Sequence, residues 1–338
     1  MTRKCLKELN ISDTIVETVH LVSPNHINPL GILHGGVGLR WMVTTASMAA
    51  MRVARGPAFI VHLDHVFFIN PVHLGHNAVI TSWVEYIGNT SMEITTLMEE
   101  ENPATGERVL TTAAHMTYVA VDNAIRPRPV PTCLSPKGDI ELELYERALK
   151  RRERRGPKLS PDDLEPPKPL LPGMKITSFK LVNPEDTLAL NAMHGGRLLY
   201  LLDELSGITA IRYAKGVMVT AGIDATDFVS PIWVGDILEI HTAITYVGRT
   251  SIEITVKALT QDPSGQRRKH ATTSHFTLVH LGTDGKPKEV PPFEPKEDWQ
   301  KELFERARMR RKQRIELLEF FKREVKYIKP PRRQYPPN

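Results

Sequence analysis

The sequence is poor in cysteine and in long apolar runs. Its two cysteines, Cys5 and Cys133, lie far apart in a chain of 338 residues, which argues against a disulfide framework or a cysteine-ligated metal site and favours a reducing compartment. No stretch approaches the ~18 consecutive apolar residues that would span a membrane, and the charged N-terminus lacks the apolar run of a signal peptide. These absences predict a cytoplasmic protein without a membrane partner.

Metal-binding motifs are also absent. The chain contains no HExxH, no CxxC and no acidic cluster with the spacing of metal ligands, so the sequence predicts neither a metal nor a cofactor.

The positive charge of the chain is concentrated in two segments. The formal net charge is +5, and most of the excess lies in residues 150–155 and 306–314. Both segments alternate with Glu on strongly helical sequence, which predicts solvated helix faces with i,i+4 ion pairs. No binding motif or interleaved aromatic residue accompanies the charge, so nucleic acid is not an expected partner.

The chain is an internal duplication. A shift of 160 residues places His34 on His194, together with the two glycines that follow each histidine. The same shift aligns GNTSMEIT (88–95) with GRTSIEIT (248–255), and the likeness extends to the segments 144–155 and 303–314. Agreement at so many positions indicates two repeats of one structural unit.

Each repeat reads as one helix followed by a sheet. The segment after His34-Gly35-Gly36 is apolar or small at nearly every position except Arg40 and Arg52, which predicts a buried helix. Four β-branched runs separated by turn residues follow it in repeat 1. We therefore predict an α+β fold with two units, residues 1–122 and 173–283, each a curved antiparallel sheet wrapped around a central helix. Charged helices are expected in the Pro-rich linker 123–172 and in the tail 284–338.

These motifs resemble those of a known family. The pattern Asn-Pro-Leu-Gly-x-x-(Phe/His)-Gly-Gly, then a helix, DFxxPxxxGD and VGRTSxE, is similar to the hotdog-fold acyl-CoA thioesterases, and more narrowly to the tandem-hotdog acyl-CoA hydrolases. The likeness covers residues 10–122 and 173–281. It implies two hotdog domains that hydrolyse fatty acyl-CoA to free fatty acid and CoA, and association into a homotrimer. The absence of GxSxG argues against the α/β-hydrolase type of thioesterase.

The resemblance implies one composite site between the two repeats. The family places an Asn six residues before one His and an Asp nine residues after the other. The Asn position holds Asn28 in repeat 1 and Leu188 in repeat 2, whereas the Asp position holds Val43 in repeat 1 and Asp203 in repeat 2. One pairing therefore keeps both groups and the reciprocal pairing has lost both, which predicts a single working site per chain.

Asp203 and Asn28 are the predicted catalytic residues. A carboxylate within a buried helix is costly unless it is used or satisfied, so Asp203 is interpreted as a general base or a nucleophile. The alternative is a structural aspartate that pairs with Arg212 or caps a neighbouring element. Asn28 is expected to hold the attacking water or the thioester oxygen, although an Asn-Pro pair also opens turns.

The other candidate residues surround these two. Gly35 and Gly36 offer backbone N–H groups at a helix N-terminus to a developing oxyanion, or else they serve close packing, as their twins in repeat 2 do. His34 is interpreted mainly as a hydrogen-bonding residue of the loop. The polar side chains of the two hairpins are predicted to form turns, with CoA contact as the alternative. They are Thr90, Ser91, Arg249, Thr250 and Ser251.

Two other functions remain open at this stage. One is a non-catalytic acyl-CoA sensor whose basic helices touch nucleic acid. The other is a hotdog enzyme of the hydratase or dehydratase type, although the Asp and His that such enzymes carry at the loop–helix junction are not found. If the protein is a thioesterase, as the resemblance implies, acyl-CoA is its expected small-molecule partner.

Overall fold

The computed structural model describes residues 5–155, 159–324, 328, 330 and 331. The elements of repeat 1 and the linker are β1 (Lys7–Leu9), β2 (Val16–Leu21), α1 (Gly35–Ala54), β3 (Ala58–Leu63), β4 (Val66–Phe67), β5 (Asn77–Ile87), β6 (Ser91–Glu101), β7 (Arg108–Ala120), β8 (Thr132–Leu134) and α2 (Gly138–Glu153). Those of repeat 2 and the tail are β9 (Lys175–Leu181), α3 (Gly195–Ala214), β10 (Val217–Ile223), β11 (Thr226–Asp227), β12 (Ile237–Val247), β13 (Ser251–Gln261), β14 (Arg268–Leu281) and α4 (Asp298–Glu324).

Two six-stranded antiparallel sheets carry the fold. Their strand orders are β11-β3-β7-β6-β5-β2 and β4-β10-β14-β13-β12-β9. Each sheet therefore takes five strands from its own repeat and a two-residue strand from the other. The predicted α+β architecture of two tandem hotdog units is confirmed. The strand before each central helix and the exchanged strands are additions that the sequence reading did not contain.

The central helices α1 and α3 pack against each other and against the sheets. On α1, the side chains of Leu39, Met42, Val43 and Ala46 are completely buried, as expected of a helix that is apolar all round. Arg52 is the polar exception near its end, where it donates to the carbonyl of Ile15 at 3.1 Å. None of the described helices is long and apolar enough to cross a membrane.

The charged helices α2 and α4 dock onto the outer faces of the sheets through arginines. Some i,i+4 pairs occur as expected, such as Arg147 with Glu143. The expectation of purely solvated faces was wrong, however, because the two helices, together with Arg155 just after α2, place guanidinium groups against buried carboxylates of the sheet. The inserted pairs are Arg151–Glu85, Arg155–Glu93, Arg310–Glu253 and Arg314–Asp224, with Arg314 also contacting Glu253. Part of the excess positive charge is thus neutralised by ion pairs within the fold.

The expectation that the two cysteines stay apart was also wrong. Strand β1 pairs in parallel with β8, and Glu8 lies opposite Cys133. This pairing brings Cys5 and Cys133 to a Cα–Cα distance of 5.8 Å, and a disulfide joins them. Separation along the chain was a poor guide because the linker returns after repeat 1 to lie beside the first strand.

Candidate active site

Asp203 lies where α3 crosses the N-terminus of α1. The backbone N–H of Gly36 donates to its Oδ2 at 2.6 Å, and the hydroxyl of Thr220 donates to its Oδ1 at 2.5 Å. The carboxylate is 1% exposed. It makes no ion pair with Arg212 among the described residues, but it does cap a neighbouring element, because it accepts the Gly36 N–H in the first turn of α1.

The absence of a side chain at Gly36 makes this contact possible. A Cβ at that position would lie 3.0 Å from Oδ2 of Asp203 and 3.1 Å from the Cα of Tyr200. Both distances are shorter than the ordinary contact distance of about 3.5–4.0 Å between carbon atoms. The helices can approach closely enough for the Gly36 N–H to bond the carboxylate only because the residue is glycine.

Burial sets the protonation behaviour of Asp203. Burial raises the pKa of the carboxyl, and this effect exceeds the opposing effects of His34, of the Thr220 hydroxyl and of the Gly36 N–H. A carboxylate whose pKa is raised toward the working pH is a stronger proton acceptor than an ordinary aspartate. The environment of Asp203 is therefore suited to general-base chemistry.

His34 caps α1 and faces the same carboxylate. Its Nδ1 lies 3.2 Å from the Gly36 nitrogen and 3.3 Å from Oδ2 of Asp203. An imidazole nitrogen either accepts or donates a hydrogen bond, so the two contacts alternate with the proton on Nδ1. In either state the ring positions the helix end beside Asp203, which agrees with its interpretation as a hydrogen-bonding residue of the loop.

Asn28 forms the turn that leads into α1. Its Oδ1 accepts the backbone N–H of Leu30 at 2.9 Å, and its own N–H donates to the carbonyl of Ile32 at 2.9 Å. This turn uses the amide oxygen only. The Nδ2 group of Asn28 donates to no residue in the described part of the chain, so the amide hydrogens remain for a ligand.

Asn28 lines a cavity of about 560 Å³ built from both repeats. This volume falls within the range of about 300–1,000 Å³ typical of small-molecule sites. Repeat 1 contributes the loop from Asn28 to Gly35, and repeat 2 contributes Thr220 and Val279. Asp203 lies directly behind the part of the wall that Gly35 and Thr220 form.

The two glycines do not have equivalent N–H groups. That of Gly36 is bonded to Asp203, whereas that of Gly35 donates to no acceptor among residues 5–155 and 159–324. Gly35 also lines the cavity. Of the two predicted oxyanion donors, the N–H of Gly35 is the one that is available in the structure.

The predicted hairpin residues lie away from this cavity. Thr90 and Ser91 make backbone turn contacts, the carbonyl of Thr90 accepting from Ala120 and that of Ser91 from Gly88. Arg249 is 82% exposed beside Glu289. Thr250 and Ser251 line a second cavity of about 200 Å³ under α4, which shares Ala221 and Val279 with the larger one.

The reciprocal junction, where α3 begins beside α1, has the same backbone arrangement but apolar residues in place of the polar ones. Val43 and Ile60 stand at the places of Asp203 and Thr220, and a Cβ on Gly196 would lie 3.0 Å from the Cβ of Val43. His194, the counterpart of His34, contacts the Ser47 hydroxyl at 3.3 Å. Burial, assisted by Arg40, lowers the pKa of His194 to about 4. Leu188 is 43% exposed at the position of Asn28.

Thr220 is the residue of this site that sequence reasoning missed. It lies at a β-bulge of β10, where the register shifts between Thr220 and Gly222, and repeat 1 has the same irregularity between Ile60 and His62. A bulge re-aims the side chains around it. The alignment of the two repeats could have indicated it, because it pairs Thr220 with Ile60. Only one repeat is polar at this position, as is also the case for Asn28/Leu188 and Asp203/Val43.

Comparisons with known proteins agree with this description. A model of the thioesterase superfamily matches residues 30–107 and 190–265, once in each repeat. The cytosolic acyl coenzyme A thioester hydrolase of Mus musculus is 28% identical over 308 residues, which are 86% of this chain and 80% of the mouse protein. The uncharacterized acyl-CoA thioester hydrolase YkhA of Bacillus subtilis is 35% identical over 121 residues, 36% of this chain and 70% of that protein.

A solved structure has a similar fold over most of this chain. An acyl-ACP thioesterase from Bacteroides thetaiotaomicron aligns with a TM-score of 0.50 over 80% of this chain and 100% of its own, at 12% identity, which is a likeness of fold. With the two sequence matches, the conclusion is direct: the chain belongs to the thioesterase superfamily, among the acyl-CoA thioester hydrolases with two fused hotdog repeats.

Proposed function

We propose that this protein hydrolyses fatty acyl-CoA thioesters to the free acid and CoA at one composite site per chain. The observation that carries the proposal is the buried carboxylate of Asp203, held by Gly36 and Thr220 behind the cavity wall. Among the described residues no lysine or arginine pairs with this carboxylate, and only the imidazole of His34 faces it. Burying such a carboxylate lowers the stability of the fold, which favours a functional role for it. The names of the sequence relatives supply the substrate class.

The reaction places each side chain in a distinct role. Asp203 takes a proton from a water molecule, and the resulting hydroxide attacks the thioester carbonyl carbon. The Nδ2 amide of Asn28 and the N–H of Gly35 donate to the water and to the carbonyl oxygen, on which negative charge develops. The tetrahedral intermediate then collapses, the C–S bond breaks, and the CoA thiolate leaves with the proton that Asp203 had accepted.

General-base catalysis is preferred over direct attack by Asp203. Both carboxylate oxygens already accept hydrogen bonds, from Gly36 and Thr220, which lowers their nucleophilicity while leaving them able to accept a proton. Single-turnover reaction in H₂¹⁸O can reveal direct attack, because that route forms an anhydride and its hydrolysis at the Asp203 carbonyl would place ¹⁸O in the protein. We expect label in the fatty acid and none in the protein, whereas ¹⁸O in Asp203 would establish the carboxylate as nucleophile.

A thiol-release assay with a panel of acyl-CoA esters tests the activity itself. We expect CoA release with saturation kinetics. Tight binding of acyl-CoA without release would instead support a non-catalytic sensor, and addition of water across an enoyl-CoA double bond would support the hydratase alternative.

The proposal includes a homotrimer of double-hotdog chains in the cytoplasm. The family likeness supports the trimer, and the charged helices α2 and α4 supply additional surface for contact between chains. The name of the mouse relative, a cytosolic hydrolase, supports the compartment. Light scattering is expected to give a species near three times 38.1 kDa. A purely monomeric species in solution would refute this part of the proposal.

A further inference from the structure

Two imidazoles and a carboxylate meet at a turn beside the mouth of the cavity. The turn precedes β5 and carries His73 and His76, and Glu100 faces them from β6. Nδ1 of His73 lies 2.7 Å from Oε1 of Glu100, and Nδ1 of His76 lies 2.8 Å from the same oxygen. The three atoms all lie within 4.8 Å of one another.

Hydrogen bonding accounts for His73 in this arrangement but not for His76, whose contact with Glu100 is an ion pair only. Oε1 of Glu100 already accepts the backbone N–H of His73 at 2.9 Å and its ring N–H at 2.7 Å. Nδ1 of His76 is buried and close to the same oxygen, but the angles do not suit a hydrogen bond, and no other described residue provides one. A buried polar atom that is left unsatisfied costs free energy, so His76 calls for a different partner.

Repeat 2 shows what the turn itself requires. Its equivalent positions are Trp233, Asp236 and Thr260. There the carboxylate of Asp236 accepts the N–H of Trp233 at 2.9 Å and the hydroxyl of Thr260 at 2.8 Å. One carboxylate is therefore sufficient to close the turn, and the two imidazoles of repeat 1 are not needed for folding.

We propose that His73, His76 and Glu100 bind a divalent transition-metal ion, with zinc as the expected metal. Two imidazoles with one carboxylate are a donor set that suits Zn²⁺, Co²⁺ or Ni²⁺, whereas Mg²⁺ and Ca²⁺ prefer oxygen ligands. The ligand atoms need to open from 2.7–2.8 Å to about 3.3 Å for tetrahedral bonds near 2.0 Å. The side chain of His73 is 54% exposed, so it can move and leave the fourth position to water.

The metal site borders the first cavity, which His73 also lines, but it shares no residue with the chemistry proposed at Asp203. The search for metal motifs in the sequence missed it because Glu100 follows the His-x-x-His pair only after a whole strand. Strand pairing brings the carboxylate back to the turn, with Asn77 opposite Glu101.

Metal titration of the full-length, untagged and EDTA-treated protein tests the proposal. We expect one equivalent of Co²⁺ to give the visible absorption of a low-coordinate site, and calorimetry to give one Zn²⁺ per chain. His76→Ala and Glu100→Gln should each weaken Zn²⁺ binding at least tenfold. Glu100→Gln keeps an oxygen for the His73 N–H, so it protects the turn if His76→Ala does not fold.

The control is His26→Ala, which removes an imidazole that contacts Ser23 and no carboxylate. It should leave the Zn²⁺ affinity unchanged. The proposal is overturned if Co²⁺ gives no such absorption, if Zn²⁺ binds both cluster variants as tightly as the unmodified chain, or if Mg²⁺ competes with Zn²⁺ at equal concentration.

Discussion

The two helix junctions of this chain have the same backbone and different chemistry. At both, a glycine after His-Gly allows one central helix to approach the other within contact distance. At one junction Gly36 meets Asp203, whose carboxylate also accepts the Thr220 hydroxyl, and at the other Gly196 meets Val43. The fold therefore requires the glycines twice, whereas the proposed catalysis requires the polar groups once. A duplicated motif thus marks structure, and the differences between its copies mark function.

The comparison also explains what the polar junction costs. Val43 is completely buried among apolar neighbours, and such packing stabilises the fold directly. Asp203 is buried equally deeply, with hydrogen bonds in place of apolar contacts. Val43 shows that an apolar residue fits this position of the fold. We therefore interpret Asp203, which is less stabilising there, as retained for its proposed chemistry.

Replacing Asp203 is expected to have the largest effect. Asp203→Asn keeps the shape and removes the proton acceptor, so turnover should fall on the order of 10²–10⁴-fold, the range for general acid–base groups. Steady-state kinetics on folded protein measure this. The matched control, Val43→Ala, should reduce stability by about 1–2 kcal/mol without changing turnover per folded chain. Equal losses for both variants would contradict the difference between the junctions.

Thr220→Val should have the next largest effect. A hydrogen bond to a charged group contributes about 1.5–3 kcal/mol, so turnover should fall on the order of 10- to 10²-fold. The Thr220 hydroxyl also holds the pKa of Asp203 down. Its loss should move the acidic limb of the pH–rate profile to higher pH. Ile60→Val, the control in the other repeat, should leave both the rate and this limb in place.

Asn28→Ala should have a smaller effect. A neutral hydrogen bond contributes about 0.5–1.5 kcal/mol, which corresponds to roughly a 2- to 12-fold loss of turnover, and water can partly replace the amide. Leu188→Met at the exposed counterpart should be kinetically silent. If Asn28→Ala matched Asp203→Asn in severity, the amide would have a larger role than positioning water or the carbonyl oxygen.

The two repeats also differ in how they hold an equivalent aspartate, and this difference should make the stability of the fold depend on pH. Asp64 is bonded by His62, which also contacts Asp227 of the other repeat, whereas the equivalent Asp224 is bonded by Arg314. Burial lowers the pKa of His62, but the hydrogen bonds to Asp227 and Asp64 outweigh it and raise the pKa to about 9.

The raised pKa means that folding favours protonated His62. Its stabilisation is fully present below the unfolded value of about 6.5 and is lost as pH rises through about 9, up to about 3 kcal/mol. Urea unfolding between these pH values measures it, and His62→Gln should remove the pH-dependent part. The Arg314 pair should not titrate in this range, so equal slopes for the unmodified chain and His62→Gln would refute the assignment.

The sequence predicted the repeat architecture because it depends on aligned positions, and the same alignment supplies the choice of junction, which stays a prediction. Asn28 and Asp203 were identified where the copies differ. The exchanged strands β4 and β11 were not predicted, since two residues carry no periodic signal. The Cys5–Cys133 disulfide depends on how the linker returns, and the role of Thr220 depends on a bulge. Such features arise from tertiary structure, which local patterns do not contain.

Calorimetric titration with a non-hydrolysable acyl-CoA analogue tests the central claim most directly. The account predicts one binding event per chain, abolished or strongly weakened when Gly35→Val forces a side chain against Thr220 and Asp203, and unchanged by Leu188→Met. Two equivalent binding events per chain, or one that Gly35→Val leaves intact in a folded protein, would contradict a single composite site between α1 and α3.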